Sequence, residues 1–396
     1  MRIFDNPNYD FVKYRWHAII FSLLLIGVGL GVFLTRGINL GIDFAGGANV
    51  VLKFRGEVPL AQLRAQLPTA TIQQYGAAKE NSVLIRLPKQ AREGDYAGAV
   101  VEKLHTDLNA GNPKHDLNYL GSDRLSALLI QADPDNRGSN PAALEYYRNI
   151  ARRVIDKRSE LGIFTNMNQA TEGLTGNVAR FLNQGAYLGQ FNMLNQETVG
   201  PQIGGQLQRK AMWAIILSSL AMGIYIWLRF DLVFGLSAMV CILHDVAVAM
   251  TFLLLLNLEF SLNVVAAILT IVGYSINDTV VMYDRVRENK RKIKKPMSLA
   301  EHLNLSINQT LSRTILTSGT VFLVLIAMLA FGGEVIRSFS WILTIGVISG
   351  TYSTLYIVPA VAVAWDNWSA KRRPAAAAAR VEPTSVEPQA RRRRAS

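Results

Sequence analysis

The 396-residue sequence predicts an α-helical membrane bundle of six transmembrane helices, with an exported α+β (ferredoxin-like) domain between helices 1 and 2. Three observations carry that expectation. Six apolar stretches are long enough to cross a bilayer. One region between the first two, 35–208, is too long to be a simple connection. Basic residues gather on alternate connections, as membrane topology demands. Composition agrees: half the residues are hydrophobic, yet 18% are charged, more than a bundle alone carries. The one cysteine, Cys241, excludes an intramolecular disulfide framework and is expected as a small packing residue in an apolar span.

The spans are 17–34, 211–228, 232–256, 262–283, 315–331 and 338–363. All six tryptophans (Trp16, Trp213, Trp227, Trp341, Trp365 and Trp368) fall at or near their ends, which fits an aromatic belt at the headgroups. The segments before the first span, between the second and third, between the fourth and fifth, and after the sixth hold 20 Lys or Arg and 9 Asp or Glu. That is +11 of the chain's net +12, so these segments are expected in the cytoplasm with both termini. They are an N-terminal segment at 1–16, a short connection at 229–231, a basic loop at 284–313 and a disordered tail at 364–396 that carries four consecutive arginines. Topology and anionic lipid account for the basic runs, and no nucleic-acid partner is expected. A cleaved signal peptide is the rival for the first span, but Leu34, Thr35 and Arg36 make a poor cleavage end.

The exported region opens with GINLGIDFAGGANVVLKF, a glycine-punctuated lead into a strand over 48–54. A short helix over 60–67, strands over 72–76 and 83–87, and a helix over 94–108 follow, with Tyr96, Val100, Val101 and Leu104 at helical spacing. This order lacks a closing strand, which 191–199 can supply. Residues at about 111–190 are then an insertion, with a turn-rich ADPDNRGSNP, a helix over 142–161 and a helical candidate over 174–188. His105 and His115 have no ligand-like partners and are expected on the solvated surface; neither metal nor cofactor is expected.

Chemistry concentrates in the fourth span, whose end reads GYSINDTVVMYDRVREN. Asp278 lies about one and a half turns inside the first residues that must be wet, where a carboxylate costs about 2.5–3.5 kcal/mol. Tyr274, Asp278, Val281 and Arg285 share a face with Asn277 beside them, so the carboxyl is expected to look into the bundle. It is either a protonatable relay or a buried node that fixes helix register. The third span adds His244 and Asp245, with Ala238, Cys241, Asp245 and Ala249 forming a stripe of small residues that admits another helix. Relay and packing contact are equally open for Asp245, and His244 points about 100° away from it. Arg313 opens the fifth span on the same side as Asp278, either as its partner or as an interfacial arginine snorkelling to water. Gly346 and Gly350 in the sixth span, like Gly27 and Gly31 in the first, signal close helix packing.

GINLGIDFAGG after the first span, ETVGP before the second, LHDV in the third, GYSINDTVVMYDRVREN in the fourth and QTLSRTILTSG opening the fifth together resemble the SecF side of the SecD/SecF family, within the RND superfamily. The likeness covers all six spans in order; the insertion after Leu108 and the tail after Lys371 have no counterpart in that pattern. The resemblance implies a bacterial inner-membrane protein that works with SecD beside the SecYEG channel, together with YajC, and uses the proton-motive force in the late stage of preprotein export. It implies that Asp278 is the proton-path aspartate and Arg313 its partner. It also implies that Gly41, Asp43, Gly46, Gly47, Gly200 and Pro201 couple the bundle to the exported domain. The alternatives are a subunit of an RND-type exporter of small molecules or lipids, and a scaffold that only steadies a membrane complex. The sequence has no phosphate-binding GxxxxGKS or GKT loop, HExxH or GxSxG, so no enzyme activity is expected.

Overall fold

The computed structural model describes residues 7–76, 78–88, 96–109 and 111–372. Helix α1 (Arg15–Arg36) stops at Gly37, whose φ of +71° suits a residue without Cβ. A four-residue helix, α2 (Ile42–Ala45), leads into β1 (Gly47–Phe54). Then come α3 (Leu60–Gln66), β2 (Thr71–Gln74), β3 (Ser82–Pro88) and α4 (Tyr96–Leu108). The insertion comprises β4 (His115–Asp116), α5 (Ser122–Ala132), α6 (Pro141–Leu161), α7 (Met167–Thr171), α8 (Gly176–Gly185) and β5 (Ala186–Tyr187). Strand β6 (Phe191–Val199) returns from it, and the sheet reads β2-β3-β1-β6, antiparallel throughout.

Each strand is where its apolar alternation puts it. Val50, Leu52 and Phe54 of β1 and Val83, Ile85 and Leu87 of β3 turn one face to Val101 and Leu104 of α4. The expected closing strand is present and pairs with β1 along its whole length. The insertion has a core of its own, built from Leu125, Leu129, Tyr147, Ile150, Val154, Phe164 and Leu182. Helices α5 and α7 were not expected from the sequence. The first has Leu125 and Leu129 at i, i+4 but only 11 residues, and the second a single turn closed by a capping box between Asn166 and Gln169. The candidate helix at 174–188 shortens to α8, its last residues pairing instead as β5 with β4. His105 is also corrected: its Nε2 lies 2.8 Å from Asp116 Oδ2 and its ring stacks on Tyr119 at 4.1 Å, tying α4 to β4. His115 is exposed, as expected.

The remaining chain is helical. In order it forms α9 (Pro201–Arg229), α10 (Leu232–Leu255), α11 (Leu262–Lys292), α12 (Leu299–Phe331), α13 (Gly333–Tyr352), a π-helical turn (Ser353–Ile357) and α14 (Val358–Arg372). Counting α13 to α14 as one, six helices among the described residues are long and apolar enough to cross a membrane. Three boundaries differ from the sequence expectation. Pro201 starts α9 ten residues before the apolar run, because a proline is pre-set for the first helical position. The expected basic loop at 284–313 is mostly helix, leaving 293–298 as the connection, since Ser298 and Glu301 form a capping box that starts α12 early. The expected tail at 364–396 begins as helix to Arg372, and its remainder, with the four arginines, lies outside the described residues.

The sixth span is interrupted rather than straight. Pro359 has no N–H to give to the carbonyl one turn earlier, and the π turn ends at Ile357, two residues before it. Gly346 and Gly350 do serve close packing: Cβ atoms there would collide with Ile271 and press on Ser275 of α11. Gly27 and Gly31 do not, for both face open space. It is Gly29, on the opposite side of α1, that meets Thr251 of α10.

Candidate functional site

Asp278 is 4% exposed in the middle of α11 and looks at α12, as its helical phase requires. Ser318 Oγ of α12 donates to Asp278 Oδ2 at 3.5 Å, while Ser318 itself accepts from Tyr274 Oη at 3.2 Å and from Thr351 Oγ1 of α13 at 2.7 Å. A carboxylate is thus joined to three hydroxyls from three helices. Arg313 lies on the same helix as Ser318 and is exposed; it is beyond ion-pair distance of Asp278, but its charge acts on that carboxylate. Asn277, beside Asp278 on α11, is also exposed. The arrangement therefore gathers Asp278 and Tyr274, keeps Arg313 within electrostatic reach of the carboxylate from an exposed position, and leaves Asn277 exposed.

Asp245 is more deeply enclosed, with no exposed surface. It accepts from Ser275 Oγ of α11 at 2.5 Å, Ser349 Oγ of α13 at 2.6 Å and Ser353 Oγ of the π turn at 2.8 Å. His244 Nδ1 is 3.0 Å from its Oδ1. The imidazole does not point uselessly aside: it is buried, and its Nε2 lies 2.9 Å from Ser22 Oγ of α1. The small-residue stripe is confirmed, with Ala238, Cys241, Asp245 and Ala249 all buried. The extra backbone of a π turn brings Ser353 to the carboxylate while Ser349 still reaches it one turn earlier.

A third cluster joins the α+β domain to the bundle. Gly41 N donates to Phe260 O at 2.9 Å and Phe260 N to Asn39 O at 2.8 Å, a two-way bridge between the lead of β1 and the turn before α11. Asp43 Oδ2 accepts from Leu262 N at 2.8 Å, so a carboxylate from α2 caps the N-terminus of α11. Phe44 packs against Phe260 at 5.3 Å between ring centroids. Gly46 and Gly47 have φ of +73° and +126°, which turn the chain into the sheet. Gly200 caps and Pro201 begins α9, and a Cβ on Gly204 in its first turns would press on the Phe44 carbonyl. Arg86 of β3 forms an ion pair with Glu259 beside this clamp.

The residues missed in the sequence are hydroxyls: Ser22, Ser275, Ser318, Ser349, Thr351, Tyr352 and Ser353. A signal existed in ISGTYST, where Ser349 and Ser353 stand at i, i+4 inside an apolar span.

The chain matches two family descriptions: "Protein export membrane protein SecD/SecF, C-terminal" over residues 182–368 and "SecD/SecF GG Motif" over 31–58. It is 38% identical over 393 residues to a Koribacter versatilis protein named "Protein translocase subunit SecF", covering 95% of this chain and 96% of that one. Such coverage includes most of the insertion, which therefore has a counterpart there. A Rickettsia conorii protein of the same name is 47% identical over 66% of this chain and 78% of its own length. Among solved structures, a SecDF from Thermus described as a translocon-associated membrane protein superposes with a TM-score of 0.63 at 30% identity. That match covers 91% of this chain but 39% of the SecDF chain. A SecDF in a super-membrane-facing form matches with a TM-score of 0.55 at 30% identity, again over less than half of its length, 41%.

Proposed function

Because the chain belongs to the SecD/SecF family of protein-export membrane proteins, we propose that it is an accessory subunit of a Sec translocase that uses the proton-motive force to promote late-stage export of preproteins. The observation that carries this reading is Asp278, a carboxylate enclosed by α11 and α12 and linked through Ser318 to Tyr274 and Thr351. Taking up a proton there removes a buried charge, and losing it restores one, so the preferred packing of α11 against α12 and α13 changes with each cycle. One proton crossing about 150 mV makes about 3.5 kcal/mol available, a bias of more than about a hundredfold between two arrangements. Asp43 caps α11 at the end next to the α+β domain, so any displacement of that helix pulls on the root of the sheet.

SecD is the partner that fits. Asn277 and Arg313 are exposed near the depth of Asp278, and polar groups in a lipid environment require a satisfying neighbour. A second bundle against this face supplies one and shields Arg313, whose charge acts on Asp278 within this chain, from lipid. The SecYEG channel and YajC complete the assembly, with the α+β domain and its insertion on the exported side to hold the emerging chain. Both termini lie in the cytoplasm and the bundle lies in the bacterial inner membrane. The test is affinity isolation of the intact complex in mild detergent, followed by export in reconstituted vesicles under an imposed proton gradient. Recovery of SecD and the channel with gradient-dependent export supports the assignment; recovery of an unrelated transporter partner, with drug or lipid efflux, replaces it.

A further inference from the structure

The buried pair His244–Asp245 is bonded to a different set of side chains from Asp278, and its hydrogens can be counted. Tyr352 Oη donates its one proton to Ala18 O at 2.9 Å. It can therefore only accept from Ser22 Oγ, which points its own proton there at 3.4 Å. Ser22 Oγ is left as an acceptor toward His244 Nε2 at 2.9 Å, and that nitrogen must carry a hydrogen. On the other side, Asp245 already accepts three serine hydroxyls, which favours its ionised form, so His244 Nδ1 also donates. From this count we propose that His244–Asp245 is a second proton-binding site, separate from Asp278, in which an imidazolium bridges the Asp245 carboxylate to Ser22 and so pins α1 to the core of α10, α11 and α13.

Among the described residues, the groups bonded to the pair are uncharged. Helix α10 supplies Cys241, α11 supplies Ser275, α1 supplies Ser22, and α13 with its π turn supplies Tyr352, Ser349 and Ser353, with Tyr356 behind Tyr352 at 5.4 Å between ring centroids. Loss of the Nε2 proton turns Ser22 around to donate to the imidazole, which breaks its bond to Tyr352. The proton on His244 therefore decides how α1 is tied to α13. α1 is otherwise held weakly, with few buried residues of its own: Ala18, Ser22 and Gly29.

The test is nitrogen NMR of the full-length protein with labelled histidine in lipid nanodiscs, the His244 ring signals being identified by their loss in His244→Gln. The account expects both ring nitrogens protonated at pH 7. Ser22→Ala removes an acceptor from Nε2 and should cut the doubly protonated share of the His244 ring signal at pH 7 severalfold. Asp245→Asn should cut it further, and Asp278→Asn should leave it unchanged. A neutral ring at pH 7, or a doubly protonated share that rises or stays put in Ser22→Ala, overturns the proposal; either result stands apart from any outcome of export assays.

Discussion

Asp245 and Asp278 are both carboxylates in the membrane-spanning region, but their neighbours set them different tasks. The three serine hydroxyls on Asp245 come from two other helices and the π turn, so removing the carboxylate strands several buried donors at once. Asp245→Ala is expected to cost about 3–5 kcal/mol, seen as a lower unfolding temperature of the protein in detergent. Ser318→Ala removes the long bond to Asp278 and the acceptor of Tyr274, while Thr351 keeps Val347 O, so it should cost about 1–3 kcal/mol and alter the pH dependence of transport. Outside the membrane, Asp133 is held below the usual carboxylate range by the Tyr147 hydroxyl and the backbone of Arg137 and Gly138. Tyr147 is pushed up to about 12 by burial and by the same bond. A depressed carboxylate stabilises the fold above its unfolded pKa of about 4 and loses that contribution as pH falls through its folded value. The turn between α5 and α6 should therefore exchange its amides faster below about pH 4, and Asp133→Asn should abolish that change.

Helices carry these side chains to each other, and their ends matter as much as their faces. The first turn of α11 has no cap from its own N-cap residue, Ser261; Asp43 provides it from another element. Asp43→Ala should cost about 1 kcal/mol and speed hydrogen exchange in that turn, with the sheet left intact. Pro359→Ala should restore a donor to the sixth span, and with it a regular helix that withdraws Ser353 from Asp245; a shifted helix contact between α10 and α14 in cross-linking would report it. The spans were legible in the sequence because hydropathy is a sum over about 20 residues and tolerates local error. Strand β6 was legible because the α+β order leaves one vacancy. The π turn and the early starts of α9 and α12 were not, since each depends on a few residues whose effect is visible only against neighbouring helices. Asp278 announced itself by its cost in lipid, whereas the serines around both carboxylates are cheap anywhere and gained meaning only once three helices met. Gly29 shows the same limit: the phase of α1 on α10 decided between it and the GxxxG pair.

Taken as one molecule, the chain places two membrane carboxylates and a domain clamp on a single helix and its immediate neighbours. Helix α11 bears Asp278 at its middle, offers Ser275 to Asp245, and is capped at its start by Asp43 from the root of the α+β domain. The clamp around Phe260 is backbone on backbone, with Gly41 and Gly204 approaching too closely to admit larger residues without displacement. Gly204→Val should push α9 from α2 and uncouple export from the gradient while the protein still inserts and assembles, measured as lost gradient-dependent export at normal complex yield. The most direct measurement is export of a slow-releasing preprotein into vesicles that hold the complete complex, with and without an imposed proton gradient, for the native chain and Asp278→Asn. The account predicts that the substitution removes the gradient-driven part and leaves the ATP-driven part intact; an unchanged response to the gradient would contradict it.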